Sequence, residues 1–456
     1  MINDKKIRPN SYVISGGAFG DEGKGRIVDM LVNDLSKKYT VIVYRDNGGA
    51  NAGHTVEFED GTRVALHQLP SGVFIKGATV ILGKEMVLHP GDLLEELKQV
   101  SKHSKKTASA KIIIDEMAIL SLDTHRAFES VLKEWQSGSK GSTGRGISPA
   151  YADVLLRHPL RIRDIANFNL KKVKEHYALY EALIKGLGKN MAEIEVPQLS
   201  GTPSVVGSEK IFISALKKHA AQLSAYVADV HELLEKTWAD KKYAFVFEKA
   251  QAIGLDVRWG VYPDITASDT TPAGIFSATE GIVDPDMIGM RAGVIKATYM
   301  SSVGIRVLPT AMEEKQAQKI RIDAHEFGAT TKRPRDIAHL DIPTLRFFKK
   351  VGRLSHLMLT HMDVVYAGEK IKICTSYMKG KKEVGYRPDQ EYLNTVKPVY
   401  IELDSWDKKS IAEATSFETL PKQAKKFITF LEKQIGIPVS VITTGPRREQ
   451  GIWLHV

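Results

Sequence analysis

Three apolar residues, Tyr12-Val13-Ile14, precede a run of small and charged residues, Ser15 to Gly25, and then Ile27 to Leu35, an amphipathic stretch with helical spacing. That order predicts a strand, a glycine loop and a helix. The switch between compact apolar runs and amphipathic stretches continues downstream. Tyr39 to Tyr44, Thr79 to Leu82 and Lys111 to Asp115 read as buried strands, and Gly91 to Lys102 and Ser121 to Trp135 as helices. The alternation predicts an α/β fold: a large, mostly parallel central sheet flanked by helices, with helical and loop insertions and ligands at the strand ends.

Polar Lys102 to Lys111 reads as an exposed connection, and Gly138 to Gly146 as a glycine-rich loop. From Asn167 to Lys242 the spacing is mostly helical, interrupted by a loop insertion at Val196 to Pro203; Ile211 to Leu234 keeps the helical period and is assigned to packing. Strand signals return at Tyr243 to Phe247, Gly293 to Thr298, His356 to Thr360 and Val439 to Ile442. No repeat, low-complexity tract or linker divides the chain. Residues 1–456 are expected to form one domain, with 167–242 a mostly helical insertion within it.

The net charge of +10 raises nucleic acid as a partner, but the basic residues are dispersed and no helix-turn-helix, zinc-finger or RNA-binding signature accompanies them. Anionic small molecules fit better. A single cysteine, Cys374, excludes an internal disulfide framework and fits a reducing compartment. It stands in the alternating run Lys370 to Cys374, where a buried structural thiol is expected. The N-terminus lacks an apolar signal core and no apolar segment is long enough to span a membrane, so the expected location is the cytoplasm.

The loop after the first strand carries the strongest chemical signal. Backbone amides and a helix N-terminus there suit phosphate, with Lys24 as a point charge. It is not a Walker A loop: five residues separate Gly17 from Gly23, and Gly25 stands where a Ser or Thr would hold magnesium. Asp21 and Glu22 lie inside it, where a carboxylate is repelled by phosphate unless a cation bridges them or the carboxylate moves a proton. After the second strand comes Asn47-Gly48-Gly49-Ala50-Asn51-Ala52-Gly53-His54-Thr55, placed at the same sheet end by right-handed crossovers. His54 is then a candidate acid or phosphate ligand.

Gly20-Asp21-Glu22-Gly23-Lys24-Gly25 with Asn51-Ala52-Gly53-His54-Thr55 resembles the adenylosuccinate synthetase family. Further matches run along nearly the whole chain: Ser142 to Tyr151, Phe247 to Gln251, Tyr262 to Thr266, Glu326 to Arg333, and Thr443 to Pro446. The resemblance implies a ligase that joins a 6-oxopurine nucleotide, IMP, to aspartate with GTP as phosphoryl donor and Mg2+ as cofactor. By resemblance Asp21 takes the proton from purine N1, O6 attacks the γ-phosphate, and His54 stabilises the transferring group; the aspartate amine then displaces the phosphoryl group at C6.

The same resemblance assigns Lys24 and Gln251 to catalysis, and Asp21 with the carbonyl of Gly53 to the metal. The donor nucleotide falls to Gly20, Glu22, Gly23, Lys24, Gly25, Thr55, Arg335, His361, Asp363, Thr443, Gly445 and Pro446. Asn51, Thr143, Arg157, Gln251, Thr266 and Arg333 fall to the acceptor nucleotide, with Gln251 reading the purine edge and Arg157 reaching in from a neighbouring subunit of a homodimer. Thr331, Arg333 and Arg335 fall to aspartate, where planar guanidinium suits a dicarboxylate.

The chain also departs from the family pattern. Thr360-His361-Met362-Asp363 lacks the lysine of Thr-Lys-x-Asp, and Thr443 stands where serine is usual. Gly83-Lys84-Glu85-Met86-Val87 replaces Gly-Asn-Gly-Val-Val, and Val257-Arg258-Trp259-Gly260 replaces the end of an Asp-His-Gly segment. Ser302-Val303-Gly304 lacks the arginine before Val-Gly, and Arg333-Pro334-Arg335-Asp336 interrupts an arginine run. These changes surround base and ribose recognition. They leave open the same chemistry on another 6-oxopurine nucleotide such as dGMP, with ATP as donor, and a nucleotide-sensing paralogue that binds without turnover.

Overall fold

The computed structural model describes residues 7–58, 61–104, 109–135, 142–328 and 334–454. The expected connection at 105–108, part of the expected glycine loop at 136–141, and Thr331 and Arg333 lie outside them.

Ten strands form the central sheet: β1 (Arg8–Gly16), β2 (Thr40–Arg45), β3 (Thr79–Leu82), β4 (Lys111–Asp115), β5 (Val227–Ala228), β6 (Tyr243–Glu248), β7 (Ile288–Lys296), β8 (His356–Thr360), β9 (Val439–Thr443) and β10 (Gly451–Trp453). Their order is β5-β4-β3-β2-β6-β1-β7-β8-β9-β10, and only the last pair is antiparallel. Adjacent residues of β1 face opposite layers, as the two-residue strand period requires. Ile14 joins Ile27, Val28 and Leu31 of the helix α1 (Lys24–Leu35), while Val13 joins Tyr44, Phe245 and Phe247 on the other face. Each such side chain, fully buried, contributes roughly 1.5–3 kcal/mol. The helical stretch shares the first of these cores through Val173, Tyr177 and Leu216.

Because β1 lies between β6 and β7, with β2 and β8 one strand further out, the C-terminal ends of five central strands open on one edge. Chain segments leaving a doubly wound sheet at such a point bracket a crevice.

Where the sequence pattern was short, the structure differs from it. The helical run Ile211 to Leu234 is two helices, Glu209–Leu223 and His231–Ala239, with β5 between them. A two-residue strand has no alternation to read. The insertion at 196–203 is the tip of a hairpin pairing Ser204 with Val196 and Val205 with Glu195. A second sheet, built from Tyr299–Ser302, Asp336–Asp341, Lys370–Lys379, Lys382–Val384 and Lys397–Asp404, was signalled only by its 370–374 run. Cys374 is buried there, its Sγ 3.3 Å from the Ser376 carbonyl, and burial pushes the thiol up, out of reach of nucleophilic use.

His339 of this second sheet packs edge-on against Tyr400, and burial, with Lys372 nearby, holds its imidazole down at about 4. The unfolded chain therefore binds a proton that the fold refuses between the ordinary histidine value and about 4, so this residue costs stability as pH falls through that window. His339→Phe keeps the ring contact and removes the titration. Denaturation measured from neutral pH to pH 4.5 is expected to fall less steeply in the variant; an unchanged slope would refute the assignment.

Candidate active site

β1 ends at Gly16, and neither Gly16 nor the Gly17 that follows has space for a side chain. A Cβ on Gly16 would lie 2.6 Å from Ala252 Cβ and the Gln251 carbonyl, and one on Gly17 2.8 Å from Ile295. The chain then turns through left-handed conformations at Gly20, Asp21 and Gly23, with φ of 102°, 62° and 84°. For Asp21, which has a Cβ, such backbone costs on the order of 1–3 kcal/mol and is retained where the surroundings impose it. Helix α1 starts at Lys24 with no side-chain cap, so its first amides are not spent on the protein's own side chains.

The two loop acids have different surroundings. Glu22 is buried and folds back onto the loop, accepting from the Gly20 amide (2.7 Å), the Ala18 amide (3.2 Å) and Lys24 Nζ (2.9 Å). Its carboxylate braces the loop and pre-sets Lys24. Asp21 is a third exposed and pairs with Arg335, whose other Nη donates to Glu326 (3.0 Å). Gly25, the position that departs from a Walker A loop, abuts Ser71 and His54: a Cβ there would be 2.8 Å from Ser71 Oγ and 3.0 Å from His54 Cβ. A hydroxyl-bearing side chain has no room at this position.

His54 thus lies directly against the phosphate loop. Its Nδ1 is 2.6 Å from Glu248 Oε1, at the end of β6, and both residues are buried. Glu248 also accepts from the Ser71 amide and hydroxyl, both at 2.8 Å. Burial pushes the imidazole below its usual range against the upward pull of Glu248. For Glu248 the upward push of burial is outweighed by His54, Arg45 and Ser71, which hold it below the usual carboxylate range. The pair is a neutral imidazole donating Nδ1–H to a carboxylate, which leaves Nε2 as the atom offered to a ligand.

Gln251, three residues beyond β6, has a left-handed backbone (φ 56°) and lies against Gly48, where a Cβ would be 3.0 Å from its Oε1. Both its amide oxygen and its amide nitrogen are buried without a hydrogen-bond partner. A buried amide left unpaired costs about 1–3 kcal/mol, so this one is held ready for a partner that the chain does not supply. Asn47 ties the neighbouring loop in place through the Ala250 amide (2.9 Å) and Ser268 (3.0 Å), and Lys249 is ion-paired with Asp46.

The other expected residues differ in exposure. Asn51 is half-buried with its Oδ1 on the Gly49 amide; Gly53 and Thr55 are exposed, Thr55 on the opposite side of the 54–57 strand from His54. Thr143 and Thr266 are half-buried. Asp363 and His361 follow β8; the His361 imidazole is pushed down to about 4 by burial, with Lys296 acting the same way. Thr443 ends β9 with its hydroxyl buried and unpartnered, Gly445 is buried behind it, and Pro446 is exposed. Arg157 is an exposed, left-handed corner (φ 66°) following Leu155 and Leu156, which are 84% and 65% exposed.

The departures resolve into local pairings. Lys84 is neutralised by Glu280 at 3.0 Å, and Met86 is fully buried. Arg258 and Trp259 donate their amides to Asp256. An arginine does reach the Val303-Gly304 turn, from its far side: Arg306 is buried over the Phe19 ring and donates to Ser302, Val303 and the carbonyl of Asp264. Sequence reasoning gave no role to Glu248, Glu326 or Arg306. Glu248 and Glu326 stood inside segments that match the family, without a task of their own, and Arg306 was signalled only as a charge between apolar residues.

Backbone amides, a lysine and a carboxylate gathered at the edge of a doubly wound sheet place the chain among the α/β proteins that bind nucleotides through phosphate. Within that class it matches the adenylosuccinate synthetase family model over residues 13–452. The chain belongs to the adenylosuccinate synthetase family. It is 34% identical to the adenylosuccinate synthetase of Pelodictyon phaeoclathratiforme, over 99% of this chain and 100% of that one, and 35% identical to that of Chlorobium chlorochromatii, over 99% of each. Among solved structures, the fully ligated adenylosuccinate synthetase from Plasmodium falciparum superposes with a TM-score of 0.85 at 30% identity, covering 98% of this chain and 100% of that one. The succinoaminodeoxyadenylate synthetase of cyanophage S-2L, solved with dGMP and with dATP as energy donor, shares the fold at a TM-score of 0.57 and 16% identity, over 99% and 97%. Among the described residues no helix is long and apolar enough to cross a membrane.

Proposed function

We propose that this chain is a C–N bond-forming ligase that phosphorylates O6 of IMP with GTP and then joins C6 to the amine of aspartate, giving adenylosuccinate. Gln251 carries the reading. A carboxamide offers a donor and an acceptor side by side, its N–H suited to the O6 of a 6-oxopurine on which negative charge develops, and here both are buried and unspent. Asp21 takes the N1 proton as O6 attacks. His54, neutral in the ligand-free fold, gains a proton beside the polyanionic donor and then donates from Nε2 to the transferring phosphoryl group, with Glu248 holding Nδ1. Arg335 turns part of its guanidinium to the aspartate carboxylates, in company with Thr331 and Arg333. Its buried Nε has no partner in the ligand-free fold.

Lys24 and the loop amides hold donor phosphate, and Asp363 accepts from guanine N1–H and N2–H; the unpartnered Thr443 hydroxyl supports a base at that position. The Asp21 carboxylate and the Gly53 carbonyl are hard oxygen donors of the kind Mg2+ takes. Once bound there, Mg2+ neutralises charge on the donor phosphates. The exposed Leu155-Leu156-Arg157 corner supports a homodimer in which Arg157 reaches the partner's nucleotide phosphate. A reducing cytoplasm suits a chain with one buried thiol.

The test is GTP consumption by the purified protein with IMP, GMP or dGMP as acceptor and GTP or ATP as donor. Turnover is expected only when aspartate and a 6-oxopurine nucleotide are both present, fastest with IMP and GTP. GTP hydrolysis that needs no acceptor, or a preference for dGMP, would overturn the assignment.

A further inference from the structure

Behind Asp21 lies a buried charged network that the reaction as described does not use. Glu326 is 1% exposed and is bonded on Oε1 by Lys296 Nζ and by the Tyr299 hydroxyl (2.5 Å). Lys296, itself 3% exposed and at the end of β7, also donates to Ser301 Oγ at 2.6 Å. With its charge met by Lys296 and Arg335, Glu326 stays ionised in spite of burial, held down at about 2. Its second oxygen accepts from Arg335 Nη1 at 3.0 Å, and its carbonyl accepts the Arg335 amide at the same distance. Phe327 and Pro334 form a bridge beside this bond.

Two of these attachments, from Lys296 and Tyr299, fix the Glu326 carboxylate before Arg335 is considered. Arg335 is fixed in turn at its amide and at one Nη, and its remaining Nη reaches Asp21. A planar guanidinium held at one edge presents its other edge in a set direction. We propose that Glu326 is a positioning residue for the ligase reaction, which aims Arg335 at the phosphate-loop carboxylate so that this guanidinium and the base are set as one unit. The inference rests on the function proposed above for Asp21 and Arg335. It accounts for a buried lysine and glutamate that packing alone does not require, since an apolar pair of similar volume would fill the space at no loss of stability.

Glu326→Gln keeps the shape and removes the charge that orders Arg335. Its crystal structure is expected to show Arg335 displaced from Asp21, a result read without any turnover. With kcat measured, the variant is expected to lose about 10–100-fold while the KM for IMP stays within about threefold of the parent, since misaimed groups reduce the rate more than binding. Glu326→Asp is expected to recover part of the loss. Should Lys296, left unpaired, prevent folding, the double variant Lys296→Met with Glu326→Gln leaves no buried charge uncompensated and is expected to show the same displacement and the same fall in kcat. Arg335 still seated on Asp21 in either variant, or kcat within twofold of the parent, would overturn the proposal. An unaltered protein without ligase activity would instead refute the function on which it rests.

Discussion

Asp21→Asn is expected to lower turnover by about 10²–10⁴-fold while GTP and IMP still bind, the size of effect that follows removal of a general base. The amide preserves the shape of the side chain in the left-handed loop position, and asparagine tolerates that backbone as aspartate does. What disappears is the ability to accept the N1 proton. Without it O6 remains the oxygen of a neutral lactam, a poor nucleophile toward phosphate. Arg335 keeps its bond to Glu326 and so remains ordered. Steady-state turnover, with nucleotide binding measured by calorimetry, separates the two effects; turnover within a few-fold of the parent would remove Asp21 from the mechanism.

Glu248→Gln is expected to reduce kcat by about 10²–10³-fold, with smaller changes in KM, because a carboxylate that holds a catalytic imidazole sets both its tautomer and its charge. Glutamine can meet His54 with its oxygen, or meet the Ser71 amide and hydroxyl, but it cannot serve all three as the carboxylate does. It also leaves the fully buried Arg45 facing less negative charge, so thermal denaturation should show a loss of stability as well. The decisive comparison is with His54→Ala. If Glu248 acts through His54, adding Glu248→Gln to His54→Ala lowers kcat no further, whereas an independent structural role predicts additive losses.

Both predictions concern residues whose neighbours the linear pattern treated unequally. Asp21 was conspicuous, because a carboxylate inside a glycine-rich phosphate loop conflicts with phosphate unless it has a task. Glu248 was not: Tyr243 to Phe247 reads as a strand, and the acid that ends it looks like any charged residue leaving a sheet. Its role arises from parallel pairing that places β6 beside β1 and β2, so that the end of one strand meets a histidine from the hairpin after another. The network of Lys296, Tyr299, Glu326 and Arg335 was hidden for the same reason, Lys296 and Glu326 being 30 residues apart in the chain. Glu22 shows the converse. Sequence pairs it with Asp21 as a second loop acid, yet three short contacts turn it inward as a brace.

By itself, the sequence determined what periodicity and local chemistry encode: the alternation of strands and helices, the glycine loop that lacks the Walker hydroxyl, and the family to which its motifs point. Those features depend on residues within a few positions of one another, where side-chain spacing and backbone freedom act directly. Only the tertiary structure decided which charges meet. It braced Glu22 within its own loop, set His54 on Glu248, left Gln251 with an unspent amide and bound Arg335 between two carboxylates. Such pairings follow from strand order and from burial, which raises the strength of an ion pair and the cost of an unpaired group together, and neither is written in any local stretch of the chain.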